Sequence, residues 1–559
     1  MSSDKLVFDM AMAGSSAPSV FIKKDYFKVT DDQNGIYTGN QSVIQTSATA
    51  NSGRYMDFKN SYITIPLVLT LTADGVGTAF TPATDNNNFA LGLKNWFGSV
   101  IHSCQVDYNN TTAQQLTSYQ SMFNAFKLHT TLSVDDVATQ GASIGYAKDT
   151  SQSWGRTTAT GLQNNRNILL ASATAGNNMA TGNAGFYERQ KAICFDPLQT
   201  TDTDNAAGLA YSTLCSATNA QNLYRSHVYR KVDGAGAVVG SLQIAVMANV
   251  MTKHLSDFLA KIPLCKGSFV KITMNLNQTS HTLVSTGALF NSEVVNSPLG
   301  GVSPLMVAGV TDGLGAVLGA DTYIASVGVG RNAPTSANHP AGSTAAAPLA
   351  SSIEMSIPAY EMSAIFEAAY LAKSVVRFDY EDIYNYNIIN RAGGSRITEL
   401  LSNGISNQSR LLICPFLNAS SNGTSAVSPF QSCLTTDGST TSPLAINNFN
   451  VQLSGQNVLM QNSDYSYAAF LEQLKGTGAV NGGNVDGITS GLISQADFEN
   501  IYAYYVVDTS RMPEIEKSVA KSVQIMANLQ CPAGINVDLY CFIARKVSFA
   551  IDLLTGSRV

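Results

Sequence analysis

Period-2 alternation of apolar and polar residues is the dominant local pattern in this chain, and it predicts half-buried β-strands. Across residues 62–72, Ile63, Ile65, Leu67, Leu69 and Leu71 share one face. Across 100–108, Val100, Cys104, Val106 and Tyr108 alternate with Ile101, Ser103, Gln105 and Asp107. The same pattern recurs at Leu242, Ile244 and Val246, and at Val270, Ile272, Met274 and Leu276. Further along come 410–416 (RLLICPF), then Phe449, Val451 and Leu453. The last strands run through Ile535, Val537, Leu539 and Cys541, then Val547, Phe549, Ile551 and Leu553. The aromatic tract 378–389 alternates in part and predicts a strand or loop buried between domains or subunits, in preference to a carbohydrate platform.

Helix signals are few. Leu255, Phe258, Leu259 and Ile262 follow an i, i+3, i+4, i+7 spacing that Pro263 stops. Residues 118–128 predict a helix with Ser118 as N-cap, and 464–475 another with Asp464 as N-cap and Gly476 just past its end. Residues 396–403 predict a fourth, ended by Gly404.

Spacing of these elements divides the chain. Residues 1–55 carry little periodicity and predict an N-terminal arm. Residues 56–300 form a first β unit, interrupted near 130–240 by a Gly-, Ser-, Thr- and Asn-rich insertion of the kind that makes surface protrusions. Residues 301–350 have linker composition, most clearly from 328 onward, and 351–559 form a second β unit. The halves are weakly alike: 62–66 (YITIP) resembles 353–358 (IEMSIP). At greater length, 106–127 matches 451–475 in the order strand, polar turn, apolar step, cap and aromatic-rich helix. Two copies of one β fold are the simplest reading.

Composition narrows the function. Charged residues are 13% of the 559, about half the usual ~25%, while 23 Tyr and 23 Phe argue against disorder. A surface built from uncharged polar residues suits a protein covered by copies of itself, because interface cores are depleted in charge. The net charge of −6 and the interruption of Lys23, Lys24 and Lys28 by Asp25, Asp31 and Asp32 leave no basic arm for direct nucleic-acid wrapping. The start, Met-Ser-Ser-Asp-Lys, has no basic and apolar leader pattern, and no apolar run approaches the ~18 residues of a membrane span. The eight cysteines contain no Cys-x-x-Cys pair and are expected as buried thiols.

The stretch 95–128 (NWFGSVIHSCQVDYNNTTAQQLTSYQSMFNAFKL) resembles a region of the major capsid proteins of polinton-like viruses and virophages, and 535–554 (INVDLYCFIARKVSFAIDLL) resembles the last paired strands of their second domain. The resemblance implies an all-β fold of two consecutive eight-stranded jelly rolls with short helices in loops. It also implies a homotrimer of pseudo-sixfold outline that tiles an icosahedral shell in the virion of a tailless DNA virus. The 130–240 insertion would face outward. The arm 1–55 would touch neighbouring capsomers, penton and minor capsid proteins, or an internal membrane.

Motifs for chemistry fail in context. Gly141-Ala142-Ser143-Ile144-Gly145 fits a nucleophile elbow, which needs a strand before it and a helix after it, but 134–140 makes a poor strand and 146–153 a poor helix. Gly328-Val329-Gly330-Arg331-Asn332-Ala333 follows a plausible strand, 322–327, yet continues into prolines where a dinucleotide fold needs a helix. The six histidines (102, 129, 227, 254, 281 and 339) show no metal-ligand spacing, and Asp202-Thr203-Asp204-Asn205 lacks the glycine and glutamate placement of a calcium loop. No catalytic, cofactor-binding or metal-ligating residue is expected. The rival readings are a carbohydrate-binding or spike-type jelly roll and an enzyme on a β scaffold.

Overall fold

The computed structural model describes residues 19–74 (apart from 34 and 38), 89–149, 238–286, 302–309, 322–330, 352–418, 444–477, 491–510, 518–531 and 534–559, with short pieces between 162 and 232 and at 289–296. Sixteen framework strands carry the fold. The first eight are β1 (Phe21–Thr30), β2 (Gln41–Gln45), β3 (Tyr62–Asp74), β4 (Ile101–Tyr108), β5 (Thr111–Gln114), β6 (Val238–Met251), β7 (Val270–Leu276) and β8 (Glu354–Met362). The second eight are β9 (Val375–Ala392), β10 (Arg396–Ile405), β11 (Gln408–Leu417), β12 (Ala445–Leu453), β13 (Gln456–Asn457), β14 (Tyr505–Asp508), β15 (Lys521–Gln530) and β16 (Asn536–Asp552).

The two sets build the same object. In the first, one sheet has the order β1–β8–β3–β6 and the other β2–β7–β4–β5; in the second, the orders are β9–β16–β11–β14 and β10–β15–β12–β13. Adding eight to each strand number of the first roll gives the second. Each pair of sheets encloses a core: Ile63, Ile65, Leu67, Val106, Ile272 and Ile357 in the first, Leu411, Ile413, Val451, Ile525, Leu539 and Cys541 in the second. The duplication inferred from 106–127 and 451–475 is therefore real. It pairs the hairpin β4–β5 and helix α1 (Gln120–Thr131) with the hairpin β12–β13 and a helix at Tyr467–Thr477. Both hairpins turn through residues of positive φ, Asn109 and Asn110 in one, Ser454 and Gly455 in the other.

Further helices among the described residues are α2 (Val134–Ile144), α3 (Thr252–Leu255), α4 (Asp257–Lys261), α5 (Ala364–Leu371), α6 (Tyr467–Thr477) and α7 (Gln495–Asn500). The helix expected over 255–262 is broken at Ser256, whose side chain caps α4 by accepting from the Leu259 amide. Residues 396–403 are not helical. Ile397 faces the second core and Leu400 faces outward, and the segment pairs with β15 as a strand, so cross-strand burial overrides its helix-like composition. The segment 134–140 is helical because Ser133 and Asp136 form a reciprocal capping box.

The domain limits move in two places. Residues 21–30 and 41–45, expected in an arm, are framework strands: Phe27 and Val29 pack on the first core, and β1 pairs along its length with β8. The strand β8, expected to open the second unit, closes the first. Its Met355, Ile357 and Ala359 fill the slot between β1 and β3, with Ser356 opposite Tyr62 and Glu354 opposite Thr64. The likeness of 62–66 to 353–358 is thus that of adjacent strands in one sheet, not of two repeats. Within the expected linker, Leu305–Gly309 pairs with Phe89–Leu93 and Thr322–Val329 pairs with β3. The chain crosses to the second roll at 363–374, through α5; residues 331–350 lie outside the described residues.

Candidate functional site: the junction of the two rolls and the faces left open

No residue was expected to do chemistry, so the functional geometry sought is that of surfaces. One internal surface lies where the first roll meets the second. Helix α1 leaves β5 and lies across the outer face of the sheet β9–β16–β11–β14. Its Gln120 and Leu128 look back to the first roll: the Gln120 side chain accepts from the Cys104 amide and donates to the Leu255 carbonyl. Met122, Phe123 and Phe126, one helical turn apart, enter the second core instead. Phe123 packs against Phe542 (6.0 Å between centroids) and under the Arg410 guanidinium (5.5 Å), and Phe126 meets Tyr504 edge-on (5.2 Å). Tyr119, just before the helix, meets Tyr540 (5.2 Å).

Aromatic residues seal the other side of the junction. Phe258 of α4 contacts Phe378 and Tyr380 of β9 and Phe549 of β16, and Tyr108 of β4 contacts Phe258 and Phe549. The Tyr380 hydroxyl donates to the Ala113 carbonyl, and the Thr117 hydroxyl donates to that of Ile383. The tract 378–389 is therefore partly buried between domains, as its pattern suggested. Tyr380 and Ile383 are consumed by internal contacts and do not form a sugar-stacking platform.

Charged groups inside the junction are paired. A cavity of about 360 Å3 holds Lys127, Asp257, Lys261, Glu381 and Arg410. Burial works against ionisation of Asp257, but Lys127, Lys261 and the Glu381 amide outweigh it and hold its carboxyl below the ordinary range. Glu381 pairs with Arg410 and accepts from Ser409. Asp382, by contrast, is pushed up to about 6 by burial.

The insertion contributes here too. At its described near end, part of the segment expected as an outer protrusion is buried: Ile144 and Tyr146 join the first core, and Asp149 pairs with Arg189 at 2.6 Å, both about 1% exposed. His129 at the end of α1 is within 3.0 Å of the Tyr504 hydroxyl, and burial with the nearby Arg189 and Lys148 charges lowers it to about 3. Gly491, at φ +67°, lets the second roll approach this point. A Cβ there would lie 2.6 Å from the Thr130 carbonyl oxygen and 2.7 Å from that of His129. Most of 150–226 lies outside the described residues.

The weighed motifs resolve locally. Ser143 is exposed within α2 and donates to the Gln140 carbonyl, with a helix where the elbow needs a strand. Gly330 follows a strand as expected, but it serves close packing, since a Cβ would sit 2.6 Å from the Gly35 carbonyl oxygen. His102, His129, His254 and His281 are dispersed, with His254 and His281 each lowered by burial to about 3. Among the described residues no group of three or more His, Cys, Asp or Glu is placed to hold a metal. Asp202–Asn205 lies outside them. The five described cysteines, 104, 265, 414, 531 and 541, are buried free thiols.

Two places carry exposed apolar or aromatic side chains. On the second roll, a groove of about 490 Å3 runs beside α6 and α7, lined by Tyr465, Tyr467, Ala468, Phe498, Glu499 and Tyr505 among others. On the first roll, the outer face of β1–β8–β3–β6 presents Tyr26 (59% exposed) and Met247 (42%). Neither surface has a single strong sequence signal; both emerge from strand register.

No family model matches the chain, and no curated protein sequence matches it significantly. Solved structures do. A chain of the Sputnik virophage, from its cryo-EM structure at 3.5 Å, is 11% identical with a TM-score of 0.50, the match covering 97% of this chain and 89% of that one. The mavirus major capsid protein is 10% identical with a TM-score of 0.47 over 98% of this chain and 91% of that one, and the Faustovirus major capsid protein 10% identical with 0.39 over 97% and 94%. Strand order in both rolls and the full-length likeness to the Sputnik chain together establish the fold: this chain is an all-β double jelly roll.

Proposed function

We propose that this chain is a major capsid protein of a tailless double-stranded DNA virus, and that its role in the virion is structural, not catalytic. The observation that carries the reading is the repetition of one eight-strand framework, in identical sheet order, within a chain that shares its fold end to end with a chain of the Sputnik virophage. Two similar rolls in each of three copies give six similar corners, so a trimer has a nearly hexagonal outline and can tile an icosahedral lattice. Repetition of each contact by symmetry lets modest pairwise energies sum to a stable shell. The partners of this reading are further copies of the chain and neighbouring capsomers, with penton and minor capsid proteins at the vertices and an internal membrane or its proteins beneath. The low charge content favours such self-coverage.

Electron microscopy and light scattering of the purified full chain test this. Trimers of hexagonal outline, or closed shells, are the expected result. A chain that stays monomeric at high concentration overturns it.

A further inference from the structure

Helix α5 carries the chain from the first roll to the second, and it sits on the body of the protein by its polar side. The Tyr55 hydroxyl donates to the Glu367 carboxylate at 3.0 Å, Lys266 pairs with the same group, and the Tyr370 hydroxyl donates to the Leu264 carbonyl at 2.8 Å. Tyr55 and Tyr370 also meet edge-on, 5.7 Å between centroids. Ile365, Ala368, Ala369 and Ala372, spaced i, i+3, i+4 and i+7, form the opposite face and are all exposed, Ile365 at 79%. None of the 8 helical residues is buried, and Ala372 keeps helical backbone just past the end. A surface helix ordinarily turns its apolar stripe inward and its polar residues to water. Helix α5 does the reverse. Exposed apolar side chains continue past both ends, at Val20, whose carbonyl accepts from the Ser363 amide, and at Val375.

The shape of this face selects its occupant. One bulky side chain, Ile365, stands at the N-terminal turn, and the three alanines leave a hollow toward the C-terminal end. The face therefore complements a second copy of itself turned end for end: a two-fold axis near Ala368 seats Ile365 of each copy in the alanine hollow of the other. The charges flanking the helix agree with that orientation. Glu361 precedes it and Lys373 follows it, both exposed, so antiparallel pairing brings each Glu361 toward the other copy's Lys373. Lys23, opposite Glu361 across the strand pair, lies 3.9 Å from Asp25 instead. At 8 residues α5 is about 12 Å long, so the contact falls well below the ~800 Å2 per partner of a stable complex. It suits a contact that acts by repetition in a shell, not one that holds two free chains together. Three alanines would also bury little apolar area in a lipid surface.

We propose that α5 packs antiparallel against α5 of a second copy of this chain across a two-fold axis, with Ile365 as the knob and Glu361 and Lys373 as reciprocal ion pairs. Such a contact is isologous, whereas contacts around a threefold axis are heterologous, so it lies between capsomers and not within one. This proposal rests on the self-assembly reading above and specifies one lateral contact of the shell.

The test uses the full chain. Ile365→Asp is expected to leave the trimer and the thermal transitions of the unassembled chain unchanged, because the side chain is already in water there, and to stop shells from closing. Glu361→Lys and Lys373→Glu should each raise the concentration needed for shell closure about two- to fivefold. The two together in one chain should restore it, since the reversed pairs match again across the axis. Loss of the trimer with Ile365→Asp, or a double reversal that only adds the two single effects, overturns the contact while leaving self-assembly standing. Shells of the Ile365→Asp chain that close at the unsubstituted concentration overturn it too, and weakened binding of that variant to vesicles of anionic phospholipid would then assign the face to a membrane. An unsubstituted chain that never associates overturns both.

Discussion

Helix α1 is a plug supplied by one roll to the core of the other, and truncating it at Phe126 measures how much the junction contributes. Phe126 is fully buried, edge-on to Tyr504 and 6.1 Å from Phe123. A buried Phe removes about 150–250 Å2 from water; at about 25 cal/mol per Å2 this is about 4–6 kcal/mol. Alanine retains a methyl group and the junction relaxes in part, so Phe126→Ala should cost about 3–5 kcal/mol. Because Phe126 belongs to the second core, the loss should fall mainly on the transition of the second roll. A chain of two cores need not unfold in one step. Scanning calorimetry resolves the transitions, and Ile365→Ala, at a position 79% exposed on α5, serves as the control that should shift nothing. A loss below about 1 kcal/mol, or a shift shared equally by all transitions, would refute the seating of α1 in the second core.

Three further outcomes follow from the buried polar groups and the junction backbone. His129, His254 and His281 are lowered to about 3 in the fold, so near pH 5 the unfolded chain binds about three more protons at these sites. Asp382, raised to about 6, returns about one. Stability should therefore fall as pH drops below the unfolded histidine value of about 6.5, by about 2.7 kcal/mol per pH unit near pH 5; a melting temperature that is flat between pH 7 and 5 would contradict this. Asp149→Ala strands the Arg189 guanidinium in a dry site and should cost about 3–5 kcal/mol in urea unfolding, whereas Asp149→Leu with Arg189→Met should recover most of it. Gly491→Ala should cost at least about 1–2 kcal/mol by thermal melting, from its left-handed backbone alone, and more because the His129 and Thr130 carbonyls leave no room for a Cβ.

Alternation identified β3, β4, β6, β7, β11, β12 and β16 but not β1, β10 or β15, because it is legible only where a half-buried strand places apolar residues at every second position. It also revealed the duplication through one hairpin and its helix, where turn, cap and aromatic spacing recur together. Sequence likewise showed that the catalytic motifs lack their supporting elements. The capping box at Ser133 and Asp136 was legible as well, although the weak strand pattern drew the expectation elsewhere.

What the sequence could not decide is partnership. Period 2 tells which face of a strand is apolar, but not which strand lies beside it, and β8 sits between β1 and β3 from more than 270 residues away, by register and the shape of the slot it fills. The boundary between rolls followed from that pairing and not from the linker-like composition before it. Composition equally could not place the described part of the insertion in the junction, where Asp149 meets Arg189. Nor could it show that α1 lies over the sheet of the second roll, since apolar side chains record burial without naming what buries them. Tertiary structure decided what lies against each apolar face, because burial belongs to a pair of surfaces and not to one segment.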